Sequence, residues 1–427
     1  MLSLNFKLIK SSPIRELPYW VLFIIFGVIY LDMYDVALYI GYSIYLHPVL
    51  LPHLQLYEAF LIFGTIFLLS QVAKVGGYVW FYLFSKNTKY YLIAPIIIGV
   101  CYMLLAFHSG YNQIGYSALY FFAFVRVIQG CAMGFELAFI LQFASSQLDY
   151  SSRRFVFYFI LFAGEIGALV SVCVNRMIIS HDLNIVQYDD LWRLQFIMRF
   201  IIIFAIFIII KNKIKTSRSL KFSRLGFIHV FRKEGVYILL RSLTLSYQIA
   251  LLFIIIFRLP TFISLDIGWS HAIVNRIVLQ VSILGFIGAN LSRFLTQYIS
   301  PKRMLYILHV GGILVNLVWI ITGWLVVEYE WWIGLSAFIY GALIYLNPIF
   351  LYDVADFNRR SRLQGRYLGY FFAYSLIGSI IIFILDLAHY TSQSGLDCTS
   401  LYILVVTGLL GIVGLKFYTK HFNHLLK

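Results

Sequence analysis

The 427-residue chain is poor in charge, because Asp, Glu, Lys and Arg make up only 12% of it, and it has only four cysteines. Cys101, Cys131 and Cys173 lie inside apolar runs, so a disulfide framework is not expected. The sequence lacks a nucleophile–base set, a glycine-rich phosphate loop and the spacing of metal ligands. We therefore expect no enzyme activity, no metal and no cofactor. The first apolar run is too long for a cleavable signal peptide, so none is expected.

Apolar residues are what the chain has in excess. Hydrophobic residues make up 61% of it, and the mean hydropathy is +0.86. A water-soluble core of this size could not bury so much apolar surface, so the composition predicts an all-α membrane protein with many spans. Runs of about 20 apolar residues cross a bilayer as helices. We predict twelve transmembrane helices, at about 18–46, 56–84, 90–108, 115–143, 155–180, 191–210, 236–262, 271–299, 303–326, 331–353, 366–388 and 400–418.

The formal net charge of +15 is distributed in a way that favours a topology signal over nucleic-acid binding. If both termini are cytoplasmic, most of the 33 Lys and Arg residues fall in cytoplasmic segments, while the outward loops at 47–55, 109–114, 263–270, 327–330 and 389–399 contain none. This asymmetry is the positive-inside rule. We expect a multi-pass protein of the inner (plasma) membrane with both termini cytoplasmic, in contact with the lipid bilayer and with no nucleic acid.

One long polar interruption, Lys211–Gly235, divides the predicted spans six and six. We predict an N-terminal six-helix bundle at 1–210, a basic cytoplasmic linker at 211–235 and a C-terminal six-helix bundle at 236–427. Basic segments recur at matching places in the two halves, as a duplicated unit would leave them, although every inward loop is basic in any case. Transporters built from repeats bind their substrate between the halves, near the midplane. We expect a monomer.

Leu31–Tyr39, in the middle of the first apolar run, carries two acids. Asp32 and Asp35 are three residues apart and therefore share one face of the helix. Each acid at mid-membrane costs roughly 2.5–3.5 kcal/mol on insertion scales, so such residues are rarely left facing lipid. This face is predicted to line a polar interior, through which a proton or a substrate passes.

The predicted fourth span has a polar face of its own, formed by residues that step by three or four: Arg126, Gln129, Met133 and Glu136. On the same helix Gly130 and Gly134 form a small-xxx-small pair, which allows a neighbouring helix to approach closely.

Helical rise places the two polar faces at similar depth. Asp32 lies roughly 21 Å from the cytoplasmic start of its helix, and Arg126 roughly 16 Å from the outer start of its own. A buried arginine needs an anion, and Asp32 or Asp35 is the candidate. Two interpretations stay open. The pair could couple protons to transport, if its separation differs between inward-open and outward-open states, or it could be a fixed structural ion pair.

Other intramembrane polar residues give weaker signals, and packing is the alternative for each: Glu165 in the fifth span, Tyr247 and Gln248 in the seventh, Asn347 in the tenth and Tyr374 in the eleventh. Arg241, Arg258 and Arg276 lie near predicted span ends, where we expect their side chains to snorkel towards water.

Four motifs point to a family. Asp32–Tyr39 looks like Glu-Trp-Tyr-Asp-Phe-Ala-Leu-Tyr, and Arg126–Glu136 matches Arg-x-x-Gln-Gly-x-x-x-Gly-x-Glu. Leu259–Phe262 is similar to Leu-Pro-Thr-Tyr, and Phe357–Tyr370 resembles Phe-Pro-x-Arg-x-Arg-x-x-Gly-x-x-Leu-Gly-Tyr. Through these motifs the chain resembles the major facilitator superfamily, and within it the metabolite:proton symporters that include proline/betaine, citrate and α-ketoglutarate carriers. The resemblance implies two six-helix bundles and proton-coupled transport.

The loop after the second span departs from the superfamily pattern Gly-x-Leu-x-Asp-Arg-x-Gly-Arg. Ser85 stands in place of its aspartate, Lys86 follows in place of the arginine, and the copy after the eighth span has Gln297 where the acid is expected. In the family that acid helps to latch the cytoplasmic gate. We expect Glu136 to replace it, paired with basic residues of the inward loops: Arg153, Arg154, Arg360 and Arg362.

The leading hypothesis is proton-coupled uptake of a small carboxylate-bearing metabolite, such as an organic acid, an amino acid or a betaine. Asp35 and Asp32 would carry the proton, and Arg126 would modulate them or bind the substrate carboxylate. The pocket would be lined by Tyr34, Tyr39, Gln129, Glu165, Tyr247, Gln248, Asn347 and Tyr374. The alternatives are an exporter of a drug or a siderophore-like polycarboxylate, and a non-transporting sensor with the same fold.

Overall fold

A computed structural model describes residues 19–84, 92–147, 162–164, 166–174, 191–214, 227–254, 279–280, 283–284, 286–287, 307, 309–314, 372–392 and 399–422. In this part of the chain the regular structure is helical, without strands. The helices are α1 (Tyr19–Leu50), α2 (Leu56–Phe84), α3 (Ile93–Ala106), the short α4 (Tyr111–Ile114), α5 (Ser117–Gln147), α6 (Leu191–Ile214), α7 (Phe227–Leu252), α8 (Gly378–Ser392) and α9 (Thr399–Phe422). A π-helical turn, Ala373–Ile377, leads directly into α8.

Four helical stretches are long and apolar enough to cross a membrane: Tyr19–Tyr39, Leu56–Phe81, Ser117–Ile140 and Arg193–Asn212. Shorter apolar helices occur at Ile93–Ala106, Ala373–Ala388 and Val405–Gly414. The predicted all-α membrane class is confirmed. The count of twelve spans stays a prediction, because much of the second half, including the whole predicted tenth span, lies outside the described residues.

The helix ends agree with the sequence in some places and differ in others. Helix α2 has the predicted bounds, whereas α7 begins at Phe227 rather than near 236. The turns around Arg232 are polar, so they fall outside the apolar run by which the span was predicted, although they continue the same helix. Between α6 and α7 only residues 215–226 are therefore left for the basic linker.

Helix α2 packs closely against α5 because glycines face backbone on both sides. A Cβ atom at Gly130 would overlap the carbonyl oxygen of Ser70, and one at Gly134 would overlap that of Lys74. From the α2 side, a Cβ at Gly77 would overlap the carbonyl oxygen of Cys131. The neighbour that the small-xxx-small pair was predicted to admit is thus α2.

Gly77→Ala should destabilise the protein, whereas Gly76→Ala on the same helix should not. The alanine at 77 meets the Cys131 backbone, which cannot move without separating α2 from α5, so we expect a loss of roughly 1–3 kcal/mol. Gly76 is exposed with nothing within 4 Å of its Cβ position, and alanine there should be neutral or stabilising by about 0.5–1 kcal/mol. Thermal unfolding of the purified variants in one detergent measures both. Equal behaviour of the two variants would contradict the close packing.

Helix α2 also carries the contacts between the two halves of the chain. The rings of Tyr57 and Tyr390 have centroids 5.9 Å apart, and those of Phe67 and Phe253 6.2 Å apart. Gly64 lies against the carboxylate of Asp386 on α8. One face of α2 therefore packs within the first half while another meets α7 and α8.

The loop at 51–55 and the segment 107–116, which includes α4, lie together at one end of the bundle. His53 packs against Tyr111 and Tyr116, and the Tyr116 hydroxyl is 2.7 Å from His53 Nε2. His108 Nε2 lies 2.8 Å from the carbonyl oxygen of Ala118. Burial lowers the pKa of the His108 imidazole, so a neutral ring that donates from Nε2 satisfies this contact. These contacts tie α1, α2, α3 and α5 to one another at this end.

Candidate functional site

Asp35, on the inner face of α1, is the centre of a buried ionic cluster. Arg126 of α5 donates from Nη1 to Asp35 Oδ1 over 2.9 Å. Arg199 of α6 donates to the same oxygen from its own Nη1. All three residues are buried. The structure thus selects Asp35, rather than Asp32, as the partner of Arg126, and it adds a second guanidinium that we did not predict.

Gln129 completes this cluster from one turn further along α5. Its Oε1 accepts a hydrogen bond of 2.9 Å from Arg126 Nη1, and its Nε2 donates to Asp35 Oδ1 over 3.3 Å. The amide therefore bridges both members of the ion pair. We interpret Gln129 as holding the geometry of Asp35 and Arg126, in addition to its predicted place in the pocket.

Aromatic rings cover both guanidinium groups. Arg126 lies 4.6 Å from the ring centroid of Tyr39. Arg199 lies between three rings, 4.7 Å from Phe196, 5.2 Å from Tyr102 and 5.3 Å from Tyr34. Such contacts stabilise a cation that has been removed from water.

The hydroxyl groups of the two α1 tyrosines make contacts within the bundle. Tyr34 donates to Gln195 Oε1 over 2.9 Å, and Tyr39 donates to the carbonyl oxygen of Phe63 over 2.9 Å. As the structure stands, these two predicted substrate-binding residues present ring faces to the arginines and use their hydroxyls to join α1 to α6 and α2.

The Asp35 cluster is not balanced in charge, since one carboxylate faces two guanidiniums. Among the described residues, Arg199 Nε, Arg199 Nη2 and Arg126 Nε are buried without a hydrogen-bond partner. The cluster borders a small cavity of about 10 Å³, room for about one water molecule, lined by Asp35, Leu38, Tyr39, Leu46, Phe122, Arg126, Phe196 and Arg199. An arrangement with a net charge of +1 and spare donors is suited to an anion.

Asp32 belongs to a second ion pair. Lys74 of α2 donates from Nζ to Asp32 Oδ1 over 2.5 Å, and both side chains are buried. The same ammonium lies 5.6 Å from the ring centroid of Tyr374, in the π-helical turn before α8. Tyr374 was predicted as a pocket residue, and the structure brings it to this ion pair from the second half of the chain.

Glu136 lies inside the first-half bundle and near Asp32. Its carboxylate is buried, and within the described part of the chain Oε1 has no hydrogen-bond partner. Glu136 and Asp32 border a common small cavity of about 10 Å³ between α1, α3, α5 and α6. The other predicted gating residues, namely Lys86, Arg153, Arg154, Arg360 and Arg362, lie outside the described residues, so the gating role stays a prediction.

The other predicted pocket residues are only partly described. Tyr247 is buried on α7, and its ring centroid is 5.7 Å from that of His309. Gln248 is on the same helix, but its side chain lies outside the described part, as do the whole of Glu165 and Asn347.

One expectation about arginine is wrong. Arg241 was predicted near a span end, with its side chain reaching water, but it is fully buried at 0% exposure. The reason is the early start of α7 at Phe227, which places Arg241 about 14 residues, or roughly 21 Å, inside the helix.

Arg199 and Lys74 are the functional residues that sequence reasoning missed. Each is a charged residue in the interior of a predicted apolar span, which is the signal that singled out Arg126. Neither Lys74 nor Arg199 was given a role in the site from the sequence. Charged residues inside membrane spans usually face the protein interior and pair there, and applying this rule to every such charge would have found both.

Known proteins share the fold of this chain. The family model of the Major Facilitator Superfamily matches residues 87–383. The fold is similar to "Crystal structure of D-xylose-proton symporter", with a TM-score of 0.70, 15% identity, and coverage of 94% of this chain and 97% of that one. It is also similar to the xylose transporter XylE from E. coli in a partially occluded inward-open conformation, with a TM-score of 0.71, 14% identity, and coverage of 94% and 98%. No curated protein matches the sequence.

Proposed function

The chain belongs to the Major Facilitator Superfamily, and from this premise we propose that it is a proton-coupled importer of a small carboxylate-bearing metabolite. The superfamily and its fold make it a multi-pass membrane transporter. The direction of transport, the coupling ion and the substrate are the parts that we propose. We further propose that both termini are in the cytoplasm, because the basic residues follow the positive-inside rule. We also propose that the protein is a monomer in the inner (plasma) membrane.

The observation that carries the carboxylate substrate is the excess of guanidinium over carboxylate at Asp35. Arg126 and Arg199 share a single oxygen of Asp35, and Arg199 keeps two buried donors without a partner among the described residues. A substrate carboxylate would satisfy those donors and bring the cluster to neutrality in a conformation that widens the small adjoining cavity. Arginine is well suited to this task because its planar donors fit two carboxylate oxygens at once.

Coupling to protons follows from competition for the same arginines. When a substrate carboxylate draws Arg199 away, Asp35 keeps one guanidinium and becomes easier to protonate. One proton and one substrate carboxylate would then enter together without a change in the buried net charge. Alternating access by rocking of two six-helix bundles, which we propose at 1–210 and 236–427, needs only that the two states differ in affinity for these ligands.

Arg199→Gln should weaken carboxylate uptake far more than Arg193→Gln, which neutralises a partly buried arginine on the same helix. The lost charge-assisted hydrogen bonds are worth about 1.5–3 kcal/mol, so we expect the KM to rise by roughly 10- to 100-fold. The assay is pH-gradient-driven uptake into proteoliposomes of whichever panel member raises the unfolding temperature most. The panel contains citrate, α-ketoglutarate, proline, betaine and, as a substrate without a carboxylate, xylose.

Three results would contradict the proposal. An unchanged KM in Arg199→Gln would remove the carboxylate from this site. Uptake of xylose alone would assign a sugar substrate. Extrusion against the gradient, in place of accumulation, would favour the exporter.

A further inference from the structure

In the described part of the first-half bundle, three buried acids and three buried cations are present, but the cations are unequally distributed among the acids. Among the described residues, Asp35 has two guanidinium partners, Arg126 and Arg199, and Asp32 has the ammonium of Lys74. Glu136 has neither a cation within salt-bridge distance nor a hydrogen bond to Oε1. Glu136 is therefore the acid whose ionised form no described cation compensates.

The surroundings of Glu136 can be followed helix by helix. Helix α1 contributes Asp32, whose carboxylate would repel an ionised Glu136, and α3 contributes the ring of Tyr102. Helix α6 contributes Ile203, and α5 itself Met133 and Leu137. From α2 the nearest charge is Lys74, and its ammonium lies on Asp32.

The free energies of the two protonation states differ strongly in such a place. Moving an unpaired ion into a protein interior costs several kcal/mol even after relaxation. A neutral acid in the same position costs much less, since only a hydroxyl and a carbonyl lose water. Because the described cation nearby is paired with Asp32, and an ionised Asp32 would repel an ionised Glu136, the two acids together favour the state with a single negative charge.

We infer that Glu136 is a second proton-binding residue of this transporter, which holds a proton in the conformation described here while Lys74 neutralises Asp32. The proton on Glu136 and the charge on Asp32 together leave this pair, with Lys74, neutral. Lys74 also contacts Tyr374 of the second half, so a bundle movement that withdraws Tyr374 would change the position of the ammonium relative to Asp32. The protonation of Glu136 and Asp32 would then change with the conformation of the transporter. This last step rests on the function proposed above, whereas the proton on Glu136 does not.

Infrared spectroscopy detects the proton directly, through the C=O stretching band of a protonated carboxylic acid. We expect this band at neutral pH in the purified full-length protein and its loss in Glu136→Gln. The matched control is Glu58→Gln. Glu58 is a partly exposed glutamate at the start of α2, and its carboxylate accepts a hydrogen bond of 3.0 Å from the backbone N–H of Gln55. The band should remain in that variant. A band that persists unchanged in Glu136→Gln would overturn the inference.

Two further measurements keep the inference testable. Lys74→Gln should add a second protonated-acid band, since Asp32 then lacks its cation, and Asp32→Asn in that background should remove it. If Glu136→Gln does not fold, labelling of the wild type with ¹³C-glutamate replaces it, and a band that does not shift would exclude glutamate. No substrate is needed, so a missing band leaves the proposed transport intact, and a failure of uptake leaves the band unaffected.

Discussion

Asp35→Asn should abolish proton-driven uptake and lower the unfolding temperature. The substitution leaves Arg126 and Arg199 without the carboxylate that they share, and asparagine offers only an uncharged oxygen to both. Removing one partner of a buried ion pair costs roughly 3–5 kcal/mol. Uptake driven by a pH gradient and thermal unfolding in detergent measure the two effects. Uptake that is unchanged across pH would refute the coupling role of Asp35.

Two controls separate loss of coupling from loss of fold. Substrate exchange without a gradient needs no net proton movement, so it should survive in Asp35→Asn if the acid serves coupling. The double variant Asp35→Asn/Arg199→Gln removes one of the two uncompensated guanidiniums and should recover part of the lost stability. A double variant less stable than both single variants would mean that the two groups do not act through each other.

Lys74→Gln should be the second most damaging substitution. It leaves Asp32 without its ammonium, in a place where both side chains are buried. We again expect a loss of roughly 3–5 kcal/mol in the free energy of unfolding. The charge-matched double variant Lys74→Gln/Asp32→Asn should regain most of it, because the two neutral amides can still pair. Thermal unfolding of the four proteins in this cycle gives the coupling energy, and a value near zero would contradict the ion pair.

The sequence predicts how deep the charged residues lie in the membrane better than it predicts which residues they pair with. Asp35 and Arg126 were predicted at similar depth, and they are in contact. Which acid would meet Arg126 was left open, since both share one face of α1. The choice is made by α2, whose close approach to α5 at Gly77 and Gly134 brings Lys74 to Asp32 and leaves Asp35 for Arg126.

Adjacency and rotation of helices explain what sequence reasoning missed. Arg199 reaches Asp35 because α6 packs beside α1 with this face turned inward. An apolar helix surrounded by lipid and other apolar helices has little amphipathic pattern from which to read such a rotation. The span bounds of α2 were predictable because polar residues flank an apolar run, whereas the polar first turns of α7 concealed its true start and the burial of Arg241.

The π-helical turn at Ala373–Ile377 determines the direction in which the side chains of α8 point around the helix axis. Tyr374 and Asp386 are twelve positions apart, and a regular α-helix would point them about 120° away from each other. A π-turn takes up one additional residue, which reduces that angle to about 20° at 100° per residue. Tyr374 and Asp386 can therefore both face α2, at Lys74 and Gly64. Deleting one residue between Tyr374 and Gly378 would restore a regular α-helix with the two residues eleven positions apart, so Tyr374 and Asp386 would still lie about 20° apart around the helix axis.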